Sequence, residues 1–449
     1  MANKKSSGNS GKKSSGSKSA AAKSSSKSSS SSTRAKKQAQ KGAVKFAKQH
    51  KKGVIAFICC VLVLIIAVVL IVYFFFPQVY DKYYAEVRNY FLDSPDDDPE
   101  GTVARASAPV QDADQADILN SEFSIHFLEL GNKYAGDCTL IKCGDTEVLI
   151  DAGSRTNSAA TIKGYVDRYC TDGKLEYVIA THAHQDHIAG FVGTGSGENK
   201  TGILYQYEVG TIIQFAGHNT ESNIYKSYLS AVAHAESKGA TAYTALECWN
   251  NQGGAKRQYD LSAAGDGSLT LNVLYNYYYE HETKDENDYS VCVLLTHTDG
   301  NNKTHYLFTG DLEGDGESYL VDKNDLPEVE LFKGGHHGSK TSSTDKLLNV
   351  IKPQKVAVCC CAGSTEYTSN HDNTFPTQAF IDRISKHTDW VYVTSLCNDY
   401  DKSDFTSLNG DIVFMYSGGG LNKLWCSNNV LPLKETEWFK NNRKGWGVN

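Results

Sequence analysis

Directly after the apolar run LEYVIA at 175–180, the segment THAHQDH at 181–187 places three imidazoles and a carboxylate, His182, His184, Asp186 and His187, within six positions. No other tract restricts the fold as tightly. On a chain leaving a strand, residues two apart project the same way, so His182 and His184 can hold one ion, while Asp186 and His187 begin the next turn and reach a second. A single histidine here would be ordinary loop chemistry. Four ligand-type residues at this spacing, followed by Ile188, Ala189 and Gly190, read as a metal nest at a strand end.

The chain around that nest divides sharply by charge. Residues 1–52 carry 15 Lys and Arg and no acid, which leaves 30 basic against 52 acidic residues in 53–449, a balance of −22 beneath an overall −7. Residues 1–53 are Ser- and Lys-rich and too poor in apolar side chains to bury a core, so they are expected to be a disordered tail. Residues 54–76 form 23 consecutive positions without a charge, enough to cross a hydrocarbon layer of about 30 Å as one transmembrane helix. The run continues into Pro77-Gln-Val-Tyr80 instead of a small-residue cleavage site, which marks a retained anchor. Lys45, Lys48, Lys51 and Lys52 crowd its amino side. The positive-inside rule then puts the N-terminus in the cytosol and residues 77–449 outside the cell membrane, with the basic tail facing anionic lipid rather than nucleic acid.

Residues 77–122 turn acidic and Ala-rich and read as a juxtamembrane helix and flexible stalk. From 123 to 449 the pattern is that of one α/β domain. Strands are expected at 123–128, 138–143, 146–150, 175–180, 269–274, 290–295, 305–308, 329–332, 355–358, 390–393 and 411–415, with helices at 159–168, 221–237, 344–351 and 378–387. Ten of the 12 Cys lie in the exported part, where disulfides are permitted. The spacings impose no framework: Cys138 and Cys143 would face opposite sides of a strand, and 359–361 reads as buried small residues. No bridge and no metal-bound thiol is assigned.

Other ligand-type residues also follow predicted strands. Asp151 stands in LIDAG, Asp311 in FTGDLE, and His336 and His337 in FKGGHHGS. An Asp before Gly is ordinary turn chemistry when it stands alone. Four such tracts at strand ends converge on one edge of a sheet.

With these tracts the chain resembles the metallo-β-lactamase superfamily over roughly 123–431. More narrowly, NDYSV at 287–291, LFTGD at 307–311 and KGGHHGSKTSS at 333–343 resemble the exported lactamase-like domain of ComEC-type competence proteins. The resemblance implies an αββα four-layer sandwich with a one- or two-metal hydrolytic site. It makes His182 and His184 ligands of the first metal, Asp186, His187 and His337 ligands of the second, and Asp311 the bridge between them. Asp151 would orient ligands from behind, and Asp186 and Asp151 are the carboxylates expected to take part in catalysis. His336 could exchange roles with His337. The implied cofactor is one or two divalent ions, zinc or manganese, which suit imidazole and carboxylate.

Two departures stand out. Where most of the superfamily has a further histidine, Asn287 to Ser290 stand instead, which leaves the first metal position short of a ligand. Phe375 occupies a place where competence proteins usually have a histidine, so a substrate-contacting histidine is either lost or supplied by His371. His218 and His281 match no motif and are expected at the surface. The implied function is a membrane-anchored, extracytoplasmic phosphodiesterase or nuclease. The −22 balance argues against a long DNA groove, although Lys333 and Lys340 flank the HHGS tract. A small ester, lactone or cell-envelope phosphoester is the alternative substrate, and a non-catalytic surface binding module the third reading.

Overall fold

A computed structural model describes residues 115–446. The predicted tail at 1–53, the apolar run at 54–76 and residues 77–114 lie outside the described residues. Among the described residues, no helix is long and apolar enough to cross a membrane.

The chain lays down two eight-stranded mixed sheets, each mostly in sequence order. After a short helix α1 (Gln115–Asn120), strands β1 (Ser124–Phe127), β2 (Thr139–Cys143), β3 (Thr146–Ile150), β4 (Lys174–Ala180), β5 (Glu208–Gln214) and β6 (Thr241–Thr244) form the first sheet. Helices α2 (Ser158–Val166), α3 (Gln185–Val192), α4 (Ile203–Gln206) and α5 (Asn223–Ser237) fall between these strands, and α6 (Ala245–Asn250) follows them. The second sheet runs β7 (Gln258–Asp260), β8 (Leu269–Val273), β9 (Val293–Asp299), β10 (Asn302–Phe308), β11 (Leu331–Lys333), β12 (Lys355–Ala362), β13 (Trp390–Asp399) and β14 (Asp404–Ser407). Helices α7 (Gly314–Lys323), α8 (Asp345–Ile351) and α9 (Gln378–Ile384) connect its parallel strands. The chain then returns to the first sheet with β15 (Ile412–Met415) and β16 (Lys423–Cys426), placing β15 beside β1, and ends in α10 (Glu437–Asn442).

The layering follows from period-two burial on both faces of the central strands. Along β12 every residue is buried. Ala357 and Cys359 join a core shared with the first sheet, while Val356, Val358 and Cys360 face a second core containing Leu320 of α7, Leu348 of α8 and Phe380 of α9. Tyr306 and Phe308 of β10 point to the first core and Leu307 to the second. Such strands read as near-continuous apolar runs, which is why 355–358 and 390–393 were legible. Local caps agree with the helices: Ser222 accepts from the Tyr225 amide at 3.2 Å at the start of α5, and Thr377 from Phe380 at 3.2 Å at the start of α9.

Several expectations are corrected. Helix α1 falls within 77–122, read as a juxtamembrane helix and stalk, and among the described residues Ile118 is buried against the core and Asp117 pairs with Lys423. The strand expected from 290 begins at Val293, because Glu286–Tyr289 form a 3-10 turn that Ser290 closes. Strands β5, β6, β7, β14 and β16 and helices α3 and α7 are not among the elements expected from the sequence. The ten cysteines of the described residues are unpaired.

Candidate metal centre

Strand direction assembles the site. β3 and β4 run parallel, as do β10, β11 and β12, so their carboxyl ends share an edge. Asp151 leaves β3, the 181–187 nest leaves β4, Asp311 follows β10, and His336 and His337 follow β11. The nest is partly helical: His184 is the N-cap residue of α3, which puts Asp186 and His187 in its first turn. Backbone bonds fix that turn against β3, with the Ala152 amide donating to His187 O at 2.8 Å and the Asp137 amide to Asp186 O at 3.1 Å. Gly153 permits the approach, since a Cβ there would collide with the Asp186 carbonyl.

The side chains then close on one another. His187 Nε2 lies 3.0 Å from Asp311 Oδ2, and His337 Nε2 lies 3.2 Å from the same oxygen and 3.4 Å from Asp186 Oδ2. His182 Nε2 is 3.0 Å from His184 Nδ1, and the His182 and His187 rings are 4.1 Å apart. Ligand atoms within 4.8 Å of one another form overlapping groups here: His182 with His187 and Asp311, Asp186 with His187 and His337, and Asp311 with His337 and Asp137. His337 Nε2 is buried, close to two carboxylates, and out of line for a hydrogen bond to either. Four carboxylates, Asp137, Asp151, Asp186 and Asp311, line the cluster, and one buried lysine, Lys333, faces two of them, Asp137 and Asp311. Buried charge needs compensation, and this donor set fits a divalent cation.

Two of the imidazoles, His187 and His337, are aimed from behind. Asp151 Oδ2 accepts from His187 Nδ1 at 2.7 Å, and Asp151 also receives the Thr181 amide at 2.8 Å and its hydroxyl at 2.7 Å. The orienting role expected of Asp151 therefore has its geometry. His337 Nδ1 faces the Cys359 carbonyl at 2.9 Å and Asp137 Oδ1 at 3.2 Å. Asp137 is a site residue that sequence reasoning missed, and it forms a buried ion pair with Lys333. Lys333 also donates to Gly310 O at 3.1 Å and stands 3.5 Å from Asp311 Oδ1. Its place as a basic flank of the HHGS tract is thus overturned: the ammonium is inside, spent on two carboxylates. One signal could have found Asp137. It precedes β2, whose start pairs antiparallel with the end of β3, Thr139 opposite Ile150, so residues just before β2 reach the same edge as Asp151.

The structure separates the two adjacent histidines. His336 and His337 both adopt left-handed backbone, at φ 44° and 55°, and so does Asp151 at φ 59°. Each such residue costs about 1–3 kcal/mol and is held only by its surroundings. The consequence is divergent side chains. His337 is buried among the carboxylates, whereas His336 is half-exposed, its Nδ1 3.2 Å from Glu313 Oε1 and its Nε2 4.0 Å from Asp311 Oδ2. Asn287, at the position lacking a histidine, donates to the same Glu313 oxygen at 3.3 Å. His371 is not brought into the cluster. It is exposed on a 3-10 turn, and its carbonyl accepts from the Thr374 hydroxyl at 2.8 Å. From the same loop Tyr367 instead reaches Asp186. His218 is exposed on Tyr225, and exposed His281 stacks on Tyr277.

Charge state follows from these contacts. Burial and the neighbouring His187 and His184 hold His182 well below the usual imidazole range, neutral as a ligand must be. Burial would lower His187 and His337 as well, but Asp311 beside both, with Asp151 and Asp137, raises them well above it. Burial would likewise raise Asp186 and Asp311, yet the facing His187 and His337 hold both carboxyls low. Without metal, His187 and His337 therefore carry protons at neutral pH. Their ion pairs contribute stability that is complete below about pH 6.5 while the carboxylates stay ionised, and that is lost as pH rises through the raised imidazole values. A cation must displace those protons. Calorimetric zinc titrations at neutral pH in two buffers of different ionisation enthalpy are expected to show net proton release and an affinity that falls as pH is lowered. Proton-neutral binding would contradict the assignment.

Two mixed sheets with helices, and a His/Asp cluster at the strand ends of one edge, define an α/β fold of the metallo-β-lactamase type. Residues 131–216, which include Asp151 and the 181–187 nest, match the family model described as the metallo-beta-lactamase superfamily. Recombination protein 2 of Haemophilus influenzae is 38% identical over 71 residues, which are 16% of this chain and 8% of that protein. The metallo-beta-lactamase fold protein YhfI from Bacillus subtilis is similar at 15% identity, over 60% of this chain and 96% of its own, with a TM-score of 0.29. BJP-1, a subclass B3 metallo-beta-lactamase of Bradyrhizobium japonicum, is similar at 16% identity, over 46% of this chain and 75% of its own, with a TM-score of 0.27.

Proposed function

We propose that this chain is a membrane-anchored, extracytoplasmic, metal-dependent hydrolase of phosphodiester bonds. The observation that carries the reading is the meeting of His187 Nε2 and His337 Nε2 within 3.2 Å of one Asp311 oxygen, with Asp186 beside them. His182 and His184 would hold one ion, Asp186, His187 and His337 the other, and Asp311 would face both. Zinc or manganese, when bound, supplies Lewis acidity and generates the hydrolytic nucleophile at neutral pH. The chain's own part is orientation. Asp151 and Thr181 fix the His187 ring, Asp137 and the Cys359 carbonyl fix His337, and half-buried Asp186 offers its carboxylate at the open side. The uncharged run at 54–76 and its lysine-rich amino flank support an anchor with residues 77–449 outside the cell, and the basic tail suits anionic lipid.

Among phosphodiesters, the buried Lys333 favours a small cell-envelope phosphoester over DNA, because it removes a cation from the surface of a chain segment already at −22. The test is a zinc- or manganese-dependent assay of the full-length chain on bis-p-nitrophenyl phosphate, single-stranded DNA and a lactone, with metal content measured in parallel. His184→Ala is expected to lower metal content and remove at least about 10²-fold of the turnover. Unchanged metal content in that variant would sink the ligand assignment. Absence of turnover on all three substrates, with metal bound, would return the chain to the binding-module reading.

A further inference from the structure

The loop after β12 places one large ring where packing does not ask for it. Tyr367 is 58% exposed, yet its hydroxyl donates to Asp186 Oδ2 at 3.0 Å, on the open side of the metal centre. The other large exposed apolar side chains of the described residues, Leu119, Leu229 and Leu431, have no recorded contact with the site. The loop is held firmly. The Gly363 amide donates to Phe375 O at 2.8 Å and Ser364 Oγ to Lys133 O at 3.1 Å. Glu366, next to Tyr367, receives the Ala135 amide at 3.0 Å and Arg155 Nη2 at 2.7 Å. Arg155 is in turn stacked over Tyr134 at 3.8 Å.

The Tyr367 ring lies 5.6 Å from that of Phe375, which is 5.8 Å from the rings of both His336 and His337. Phe375 cannot donate a hydrogen bond. A fixed hydroxyl at the centre and an aromatic wall beside it meet the two needs of a phosphoester bearing an apolar or aromatic group: a donor for a non-bridging oxygen and a face for the substituent.

Resting on the phosphodiester reading above, we propose that Tyr367 positions the substrate. When substrate binds, its hydroxyl, which has a single proton, turns from Asp186 Oδ2 to donate to a phosphoryl oxygen, and its ring with Phe375 seats an aromatic or nucleoside ester group. The hydroxyl needs no change of protonation for this, since burial and the neighbouring Asp186 and Glu366 carboxylates push the phenol up and keep it a donor at neutral pH.

The decisive variant is Tyr367→Phe in the full-length chain, an isosteric change at an exposed ring. Metal content is expected to be unchanged. Affinity for inorganic phosphate, measured calorimetrically on the metal-loaded protein, should fall about tenfold, and kcat/KM on bis-p-nitrophenyl phosphate about 10²-fold. Tyr367→Ala should in addition reduce the preference for bis-p-nitrophenyl phosphate over methyl p-nitrophenyl phosphate. Wild-type phosphate affinity in Tyr367→Phe overturns the inference, as does loss of metal, which would make the tyrosine a support for Asp186 only. If the wild-type chain turns over no phosphodiester, the function proposed above fails. The phosphate measurement still decides the role of Tyr367.

Discussion

Asp311→Asn is expected to abolish at least one metal equivalent and to lower phosphodiester turnover by about 10³-fold or more. The substitution preserves shape, so the effect isolates charge. Asp311 Oδ2 is the oxygen that both His187 Nε2 and His337 Nε2 face, and its partner oxygen lies 3.5 Å from Lys333 Nζ. An amide offers one neutral oxygen and an NH2 group in place of a carboxylate. It cannot balance the charge of a bound cation as a carboxylate does. In the metal-free protein the variant should unfold below the wild-type temperature, because Asp311 there pairs with protonated His187 and His337 and stands near Lys333. The wild type should gain stability on zinc addition, since an ion that binds only the folded state shifts the equilibrium by mass action, and the variant should not. Elemental analysis and thermal unfolding with and without zinc check both halves. A variant that keeps its metal and its zinc-dependent stabilisation would remove Asp311 from the centre.

Lys333→Met should behave in the opposite way, with a fold defect larger than its catalytic one. The ammonium is 3% exposed and pairs with Asp137 while standing near Asp311. Met fills the aliphatic volume but strands two buried carboxylates, and breaking a buried pair from one side costs about 3–5 kcal/mol. Urea unfolding should record that loss in the metal-free protein. Metal should restore part of it, because an ion beside Asp311 compensates that carboxylate and leaves Asp137 facing His337 alone. A surface phosphate-binding lysine would give another outcome: normal stability and weaker binding of polyanions. Full stability of the variant would refute the buried-pair account.

These two residues also mark where sequence reasoning stopped. Asp311 was legible because FTGDLE follows an apolar run and carries a ligand-type residue where a strand should end. The same logic reached Asp151, the 181–187 nest and the His336-His337 pair. Lys333 was visible but misread, since nothing in KGGHHGS distinguishes a lysine that closes a strand inward from one that flanks a groove. Asp137 lies before a strand instead of after one. Its approach to the edge depends on the antiparallel pairing of β2 with β3, a hairpin that a search for ligand-type residues after strands passes over. His371 and Tyr367 lie four residues apart on one loop. Which of them meets Asp186 is settled by the clamp on Glu366, made by Ala135 and Arg155 from distant parts of the chain.

What the sequence determined by itself is therefore local: the ligand types, their spacing, the strands that carry them, the alternation that buries both faces of the second sheet, and the charge split at residue 52. These depend on side-chain chemistry and on periods of two and 3.6, both written in neighbouring residues. Tertiary structure alone decided which of two adjacent histidines enters the centre, which lysine is buried, and which loop residue faces the open side. Each of those outcomes depends on contacts between strands and loops 100 to 300 residues apart in the chain, or on a backbone forced into left-handed φ by packing. Such contacts form only once the two sheets have set the register.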